Sequence, residues 1–207
     1  MWSAAILAGG RARRLGGQDK SALIVDGVRL LDRQLASLRP LTDSILLVGY
    51  PGPAPASCVV VSDHKPGTGP LGAIVTALSA AATERVLILA ADLPFLTTAF
   101  LEFLARADEN ADAVVPVSGG RWHPLCAIYR RRIAPTLDAA IDRGELAVHA
   151  AVAHLNPTLI GDDRLAPFDP DHRLFANINT PDDLGRWRAS GGRNRTAAPE
   201  SSQTTNR

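Results

Sequence analysis

The sequence predicts a single α/β domain: a mostly parallel sheet with helices packed on both faces. Two observations carry that prediction. Short apolar runs bounded by turn residues alternate with segments whose apolar residues recur every three or four positions. The 207 residues are enough for one well-cored domain and few for two.

The first strand is expected at residues 3–8, where Ser-Ala-Ala-Ile-Leu-Ala suits a strand covered on both faces. Residues 28–38 carry leucines at 30, 31, 35 and 38, the stripe of an amphipathic helix. Strands are expected at 44–48 and 58–61, a helix at 71–82, and a strand at 85–90. A helix follows at 98–107, capped by Pro-Phe-Leu-Thr, and then a strand at 113–117. Beyond it the pattern is less regular. Residues 130–143 and 145–154 read as helices, and 181–188 as a closing helix entered through Asn179-Thr180-Pro181. From Ser190 onward there is no apolar periodicity, so 190–207 is expected to be a disordered tail. Ligands of such sheets gather beyond the carboxyl ends of the strands. Gly9 and Gly10 after the first strand, Asp63 after the third and Asp92 after the fourth all fall there.

Composition excludes several classes of partner. A net charge of +1 predicts neither nucleic-acid nor membrane attraction. Cys58 and Cys126 sit in apolar settings without CxxC spacing, which favours core thiols over a disulfide or zinc site. The opening residues lack a basic region and a long apolar run, and no stretch approaches the roughly 20 apolar residues of a membrane span. A cytoplasmic location is expected.

The most informative segment is Leu7-Ala-Gly-Gly-Arg-Ala-Arg-Arg-Leu-Gly-Gly-Gln-Asp-Lys20. Glycine-rich turns at a strand end expose amides that hold anionic oxygens, and arginines with a terminal lysine add positive charge. The segment reads as a phosphate cradle, although it matches neither the Walker A nor the dinucleotide spacing. Of 22 basic residues only Lys20 and Lys65 are lysines. A lysine retained in so arginine-biased a chain suggests that Lys20 acts as a compact point charge, or else is a surface residue. Asp92, in Ala-Ala-Asp-Leu-Pro, is a carboxylate at an apolar strand tip, suited to a cation or to capping the next turn. Asp63 has the same placement and suits a ribose or base contact, or a turn. His64 has no second histidine spaced to share a metal. Gly67-Thr-Gly-Pro-Leu-Gly72 is a second glycine-rich loop leading into a helix. His123-Pro124 is extended locally, and no serine or cysteine nucleophile with a partner acid supports a hydrolase triad. Asn177 and Asn179 alternate onto one side of an extended segment, where both amides suit one ligand or a helix cap.

Taken in order, Leu7-Ala-Gly-Gly, Arg14-Leu-Gly, Asp19-Lys20, Gly69-Pro-Leu-Gly72, Asp92-x-Pro94, His123-Pro-Leu125 and Asn177-x-Asn-Thr-Pro181 resemble the molybdenum cofactor guanylyltransferase (MobA) family. The resemblance runs from about residue 3 to 188. It implies a Rossmann-like nucleotidyltransferase domain over 1–189, followed by the tail. It implies transfer of GMP from GTP to the phosphate of molybdopterin, with Mg²⁺ as cofactor and pyrophosphate as leaving group. On this likeness Leu7, Ala8 and Gly9 supply backbone contacts to guanine and phosphate, and Asp63 contacts the nucleoside. Arg14 and Lys20 neutralise the triphosphate, Asp92 holds Mg²⁺ against it, and Asn177 and Asn179 serve the molybdopterin side. Transient contacts with molybdenum insertion proteins and molybdoenzymes are implied as well. Departures from the family pattern are Leu15 for methionine, Ala91 for cysteine, no asparagine after Val48, and no arginine in Gly144-Glu-Leu-Ala-Val148. The other readings are a CTP-dependent molybdopterin cytidylyltransferase, another small-molecule nucleotidyltransferase, and a non-catalytic nucleotide-binding module.

Overall fold

A computed structural model of the chain describes residues 1–9 and 24–177. Arg14, Lys20, Asn179, the helix expected at 181–188 and the tail at 190–207 lie outside the described residues.

Strand β1 (Ser3–Leu7) is buried along its whole length. A small hairpin of β2 (Ile24–Val25) and β3 (Val28–Arg29) follows. It turns at Asp26-Gly27, both with positive φ, the geometry that matches strand twist in two-residue turns. Because β3 takes Val28 and Arg29, helix α1 (Leu30–Leu38) starts two residues later than its stripe suggests. Then come β4 (Ile45–Val48), β5 (Cys58–Val61), α2 (Gly69–Ala80) and β6 (Arg85–Ala90). Helix α3 (Thr98–Arg106) opens at Thr97, whose hydroxyl accepts from the Phe100 N–H at 3.2 Å. The second half holds β7 (Ala113–Ser118), β8 (Arg121–Trp122), β9 (Cys126–Arg130), α4 (Ala134–Asp142), α5 (Val148–Ala153), β10 (Thr158–Ile160) and α6 (Asp162–Leu165).

The main sheet runs β10-β7-β9-β6-β1-β4-β5, with β8 attached to β7. Strands β6, β1, β4 and β5 are mutually parallel, and β10 is parallel to β7. Strand β9 runs antiparallel to both of its neighbours, β6 and β7. The path therefore consists of two blocks, each contiguous in sequence. Residues 3–90 build β5-β4-β1-β6 and residues 113–160 build β9-β7-β10, and the blocks join along the antiparallel seam from Arg85 opposite Arg130 to Leu89 opposite Cys126.

Successive residues of β1 point to opposite faces and divide the core. Ala5 and Leu7 pack beneath α2, α4 and α5, while Ala4 and Ile6 pack beneath α1 and α3. Two helix expectations shrink. The helix expected at 130–143 begins at Ala134, because residues 126–130 are β9 and 131–133 a 3₁₀ turn. The one expected at 145–154 reduces to α5, because Gly144 at φ +80° ends the preceding helix and residues 145–147 are not helical.

Candidate functional site

Register fixes what converges at the carboxyl end of the sheet. Leu7 lies between Val48 and Ala90, and Val48 in turn lies opposite Val61. The loops carrying Gly9, Gly49, Asp63 and Asp92 therefore leave along one edge. Because β9 is reversed, its first residue Cys126 lies opposite Leu89, and the His123-Pro124-Leu125 turn joins the same edge. The Ala90 N–H donates to the Leu125 carbonyl at 2.7 Å.

Ala8 and Gly9 both donate their N–H groups to the Val48 carbonyl at 2.9 Å. What these two residues offer a ligand is thus carbonyl oxygens and the bare Cα of Gly9; the rest of the expected phosphate cradle, 10–20, lies outside the described residues. Gly9 lies directly against Gly49, which sits at φ +69°. A Cβ at position 49 would stand 2.7 Å from the Gly9 Cα, so the two loops cross with no room for a side chain between them.

Asp63 is half-buried. Its Oδ1 accepts from the Lys65 N–H at 3.0 Å and from the Thr76 hydroxyl at 3.2 Å, tying the loop after β5 to α2. Lys65 is committed to α4: its ammonium lies 2.8 Å from Asp138 and 3.5 Å from Asp142, and the Asp138 carboxylate raises its pKa. Gly72 lets the loop 65–69 fold onto the start of α2, since a Cβ there would meet the Thr68 hydroxyl at 2.0 Å.

Asp92 follows β6, 9 % exposed between the buried Ala91 and Leu93. One side chain fixes the backbone on both sides of it. The amide of Gln34, 2 % exposed on α1, donates to the Ala90 carbonyl at 2.7 Å and to the Leu93 carbonyl at 3.2 Å. Sequence reasoning misses Gln34; the available signal is a polar residue within the leucine stripe 30, 31, 35, 38. Strands β4 and β1 separate β5 from β6, so the strand ends that lead to Asp63 and Asp92 stand roughly 14 Å apart at the usual strand spacing. That is too far to share one ion. Among the described residues no three His, Cys, Asp or Glu side chains gather as a metal site.

On the other side of Asp92 the His123 turn is held firmly. The His123 N–H donates to the Pro116 carbonyl, and the His123 carbonyl accepts from Cys126 N–H, both at 2.9 Å. The hydroxyl of buried Tyr129 donates to the Pro124 carbonyl at 2.7 Å. Burial first, and Arg121 second, lower the His123 pKa to about 4 against an opposing pull from Asp169. The ring is neutral at pH 7. It stacks on Phe175 with centroids 3.9 Å apart and planes 13° from parallel. Asn177, exposed, follows within roughly 7 Å of chain. On the opposite face Trp122 leans on His149 of α5 at 4.6 Å.

The geometry thus brings Leu7, Ala8, Gly9, Asp92 and the segment leading to Asn177 to one end of the sheet, with Asp63 at the same end but set apart on β5. Arg14, Lys20 and Asn179 lie outside the described residues.

The pattern of the MobA-like NTP transferase domain matches residues 4–157. A probable molybdenum cofactor guanylyltransferase from Chloroflexus aggregans is 37 % identical over 194 residues, covering 89 % of this chain and 92 % of that protein. The molybdenum cofactor guanylyltransferase of Desulfosudis oleivorans is 31 % identical over 191 residues, covering 89 % and 93 %. Among solved structures, molybdopterin-guanine dinucleotide biosynthesis protein A from Archaeoglobus fulgidus superposes with a TM-score of 0.73 at 28 % identity, covering 90 % of this chain and 96 % of that one. A 2-C-methyl-D-erythritol 4-phosphate cytidylyltransferase from Thermus thermophilus, at 22 % identity and a TM-score of 0.66, covers 90 % and 97 % and shares the fold.

Proposed function

Since the chain belongs to the MobA-like NTP transferase family, we propose that it transfers GMP from GTP to the terminal phosphate of molybdopterin, releasing pyrophosphate. The observation that carries this reading is the placement of Asp92 and the β1 loop side by side, with Leu7 paired to Ala90 in register. The relatives named as guanylyltransferases cover nearly the whole length of the chain, which supports the base assignment.

In the proposed reaction a molybdopterin phosphate oxygen attacks the α-phosphorus of GTP. A new P–O bond forms as the bond to the bridging β-phosphate oxygen breaks, and pyrophosphate leaves with the electron pair. The attacking phosphate is already ionised near pH 7, so no strong general base is required. Catalysis is then a matter of in-line positioning and charge neutralisation. Arg14 and Lys20 face the triphosphate in this reading, Leu7, Ala8 and Gly9 line the nucleotide, and Asp63 reaches the nucleoside. Asn177 and Asn179 serve the acceptor.

Asp92 fits Mg²⁺. A buried carboxylate at the end of β6, in a set of described residues where no three His, Cys, Asp or Glu side chains gather, suits an ion that takes one or two carboxylates and completes its shell with phosphate oxygens and water. Bound there, the ion would supply neutralisation of charge on the phosphates. In this reading the protein works in the cytoplasm and makes transient contacts with molybdenum insertion proteins and molybdoenzymes.

The test is kcat/KM for pyrophosphate release with GTP, ATP and CTP at fixed molybdopterin and Mg²⁺. GTP should lead, because a site that pairs a purine's polar edge rejects analogues by factors reaching roughly 10⁴. Equal values, or a lead for CTP, would break the guanylyl assignment and leave the nucleotidyltransferase class standing. Absence of pyrophosphate with every nucleotide would break both. Asp92→Asn should lose Mg²⁺-dependent turnover while keeping its unfolding transition.

A further inference from the structure

His123-Pro-Leu125 and Phe175-Ala-Asn177 are separate motifs, about fifty residues apart in the chain. In the folded protein they are in ring contact at the carboxyl end of the sheet. The segment reaching Asn177 has no helix or strand from Asp169 to Asn177 and is held by contacts of single residues. Asp169 caps its beginning, its Oδ1 accepting from the N–H groups of Arg173 at 2.6 Å and Leu174 at 3.0 Å. Leu174 is buried in the core, and the Ala176 N–H returns to the Arg173 carbonyl at 2.9 Å. Phe175 meets Phe100 of α3 edge-on at 5.7 Å and turns its face to His123. That stack is the last side-chain contact described before Asn177.

The two partners differ in rigidity. His123 belongs to a turn hydrogen-bonded to β6, β7 and β9, whereas Phe175 lies in a loop without ladder partners. The stack therefore transmits position from the sheet to the loop. We propose that His123 and Phe175 form a clasp that holds residues 174–177 on the sheet end and presents Asn177 to the molybdopterin side of the site. His123 is then a positioning residue for the acceptor, acting through Asn177, and this rests on the functional reading above. Its low pKa accords with that role: Arg121 and burial keep the imidazole neutral, and Asp169 does not reverse them.

Steady-state kinetics of His123→Ala, His123→Phe, Asn177→Ala and the His123→Ala/Asn177→Ala pair test the clasp. Loss of the ring should raise KM for molybdopterin between about threefold and tenfold, the range an aromatic pair supports, with KM for GTP unchanged. His123→Phe keeps a ring and should restore most of the loss. The double variant should be no worse than Asn177→Ala, since both act on one contact. Equal rises in both KM values, or additive effects in the pair, would overturn the proposal. Hydrogen exchange supplies a readout independent of turnover: the Leu174 and Ala176 amides should exchange faster in His123→Ala and near the unmodified rate in His123→Phe. Unchanged exchange in His123→Ala overturns the clasp. If the unmodified protein releases no pyrophosphate from GTP and molybdopterin, the functional reading falls while the exchange measurement still decides the clasp.

Discussion

Gly49 shows how a single missing side chain shapes the site. A methyl group at this position would meet the Gly9 Cα at 2.7 Å and would also occupy a φ of +69°. Both terms are unfavourable, so Gly49→Ala should lose about 2–3 kcal/mol in urea unfolding. A change below about 0.5 kcal/mol would mean the loops part easily. Gln34 works in the opposite sense, by adding bonds. Replacing it with leucine removes both donors from the turn around Asp92 and leaves the Ala90 and Leu93 carbonyls without them. The expected cost is about 1–3 kcal/mol of stability. A higher Mg²⁺ requirement for turnover should accompany it, and an unchanged Mg²⁺ titration would separate the clamp from the carboxylate. His123 adds a pH signature. Its folded pKa of about 4 lies below the ordinary 6.5, so the unfolded chain binds the proton more readily. Unfolding takes up protons between those values, and stability is lost as pH falls through that window. With the ring only partly shielded from water, the loss from pH 7 to 5 should be about 1 kcal/mol. Urea titrations at the two pH values should show it in the unmodified protein and not in His123→Phe.

Elements differ in how clearly the sequence announces them. The strands read as plain apolar runs, four of them largely buried and β5 an exposed edge, and all five expected in the first 117 residues form. The glycine loop, Asp63 and Asp92 are legible for the same reason, because the strand before each marks where it emerges. Strand β9 is nearly as buried as β1 and of the same length, yet its run merges with the arginines and the helix that follow. Its direction leaves no mark in the apolar pattern. The turn at His123 decides it, through bonds to Pro116 and Cys126. β10 has three residues and β2 two, too few for any periodicity to show. Gln34 and the His123–Phe175 stack escape detection for a different reason. Their partners lie more than fifty residues away, and in the case of Gln34 they are backbone carbonyls with no side-chain identity to read.

At the scale of the molecule, the antiparallel seam between β6 and β9 divides labour as well as sequence. Gly9, Asp63 and Asp92, assigned to the nucleotide, belong to the block that ends with β6 and its turn. His123 and Asn177, assigned to the acceptor, come after that seam in the chain. The connection between the blocks passes through α3 and the loop at 107–112, on the surface side of the fold. Severing that loop would give two polypeptides, each with a sheet edge that only the other can satisfy. Mixed in equal amounts, fragments cut between Asp108 and Asp112 should reassemble and recover turnover, while neither is active alone. The seam would then serve as a docking edge between two half-enzymes, one dedicated to each substrate.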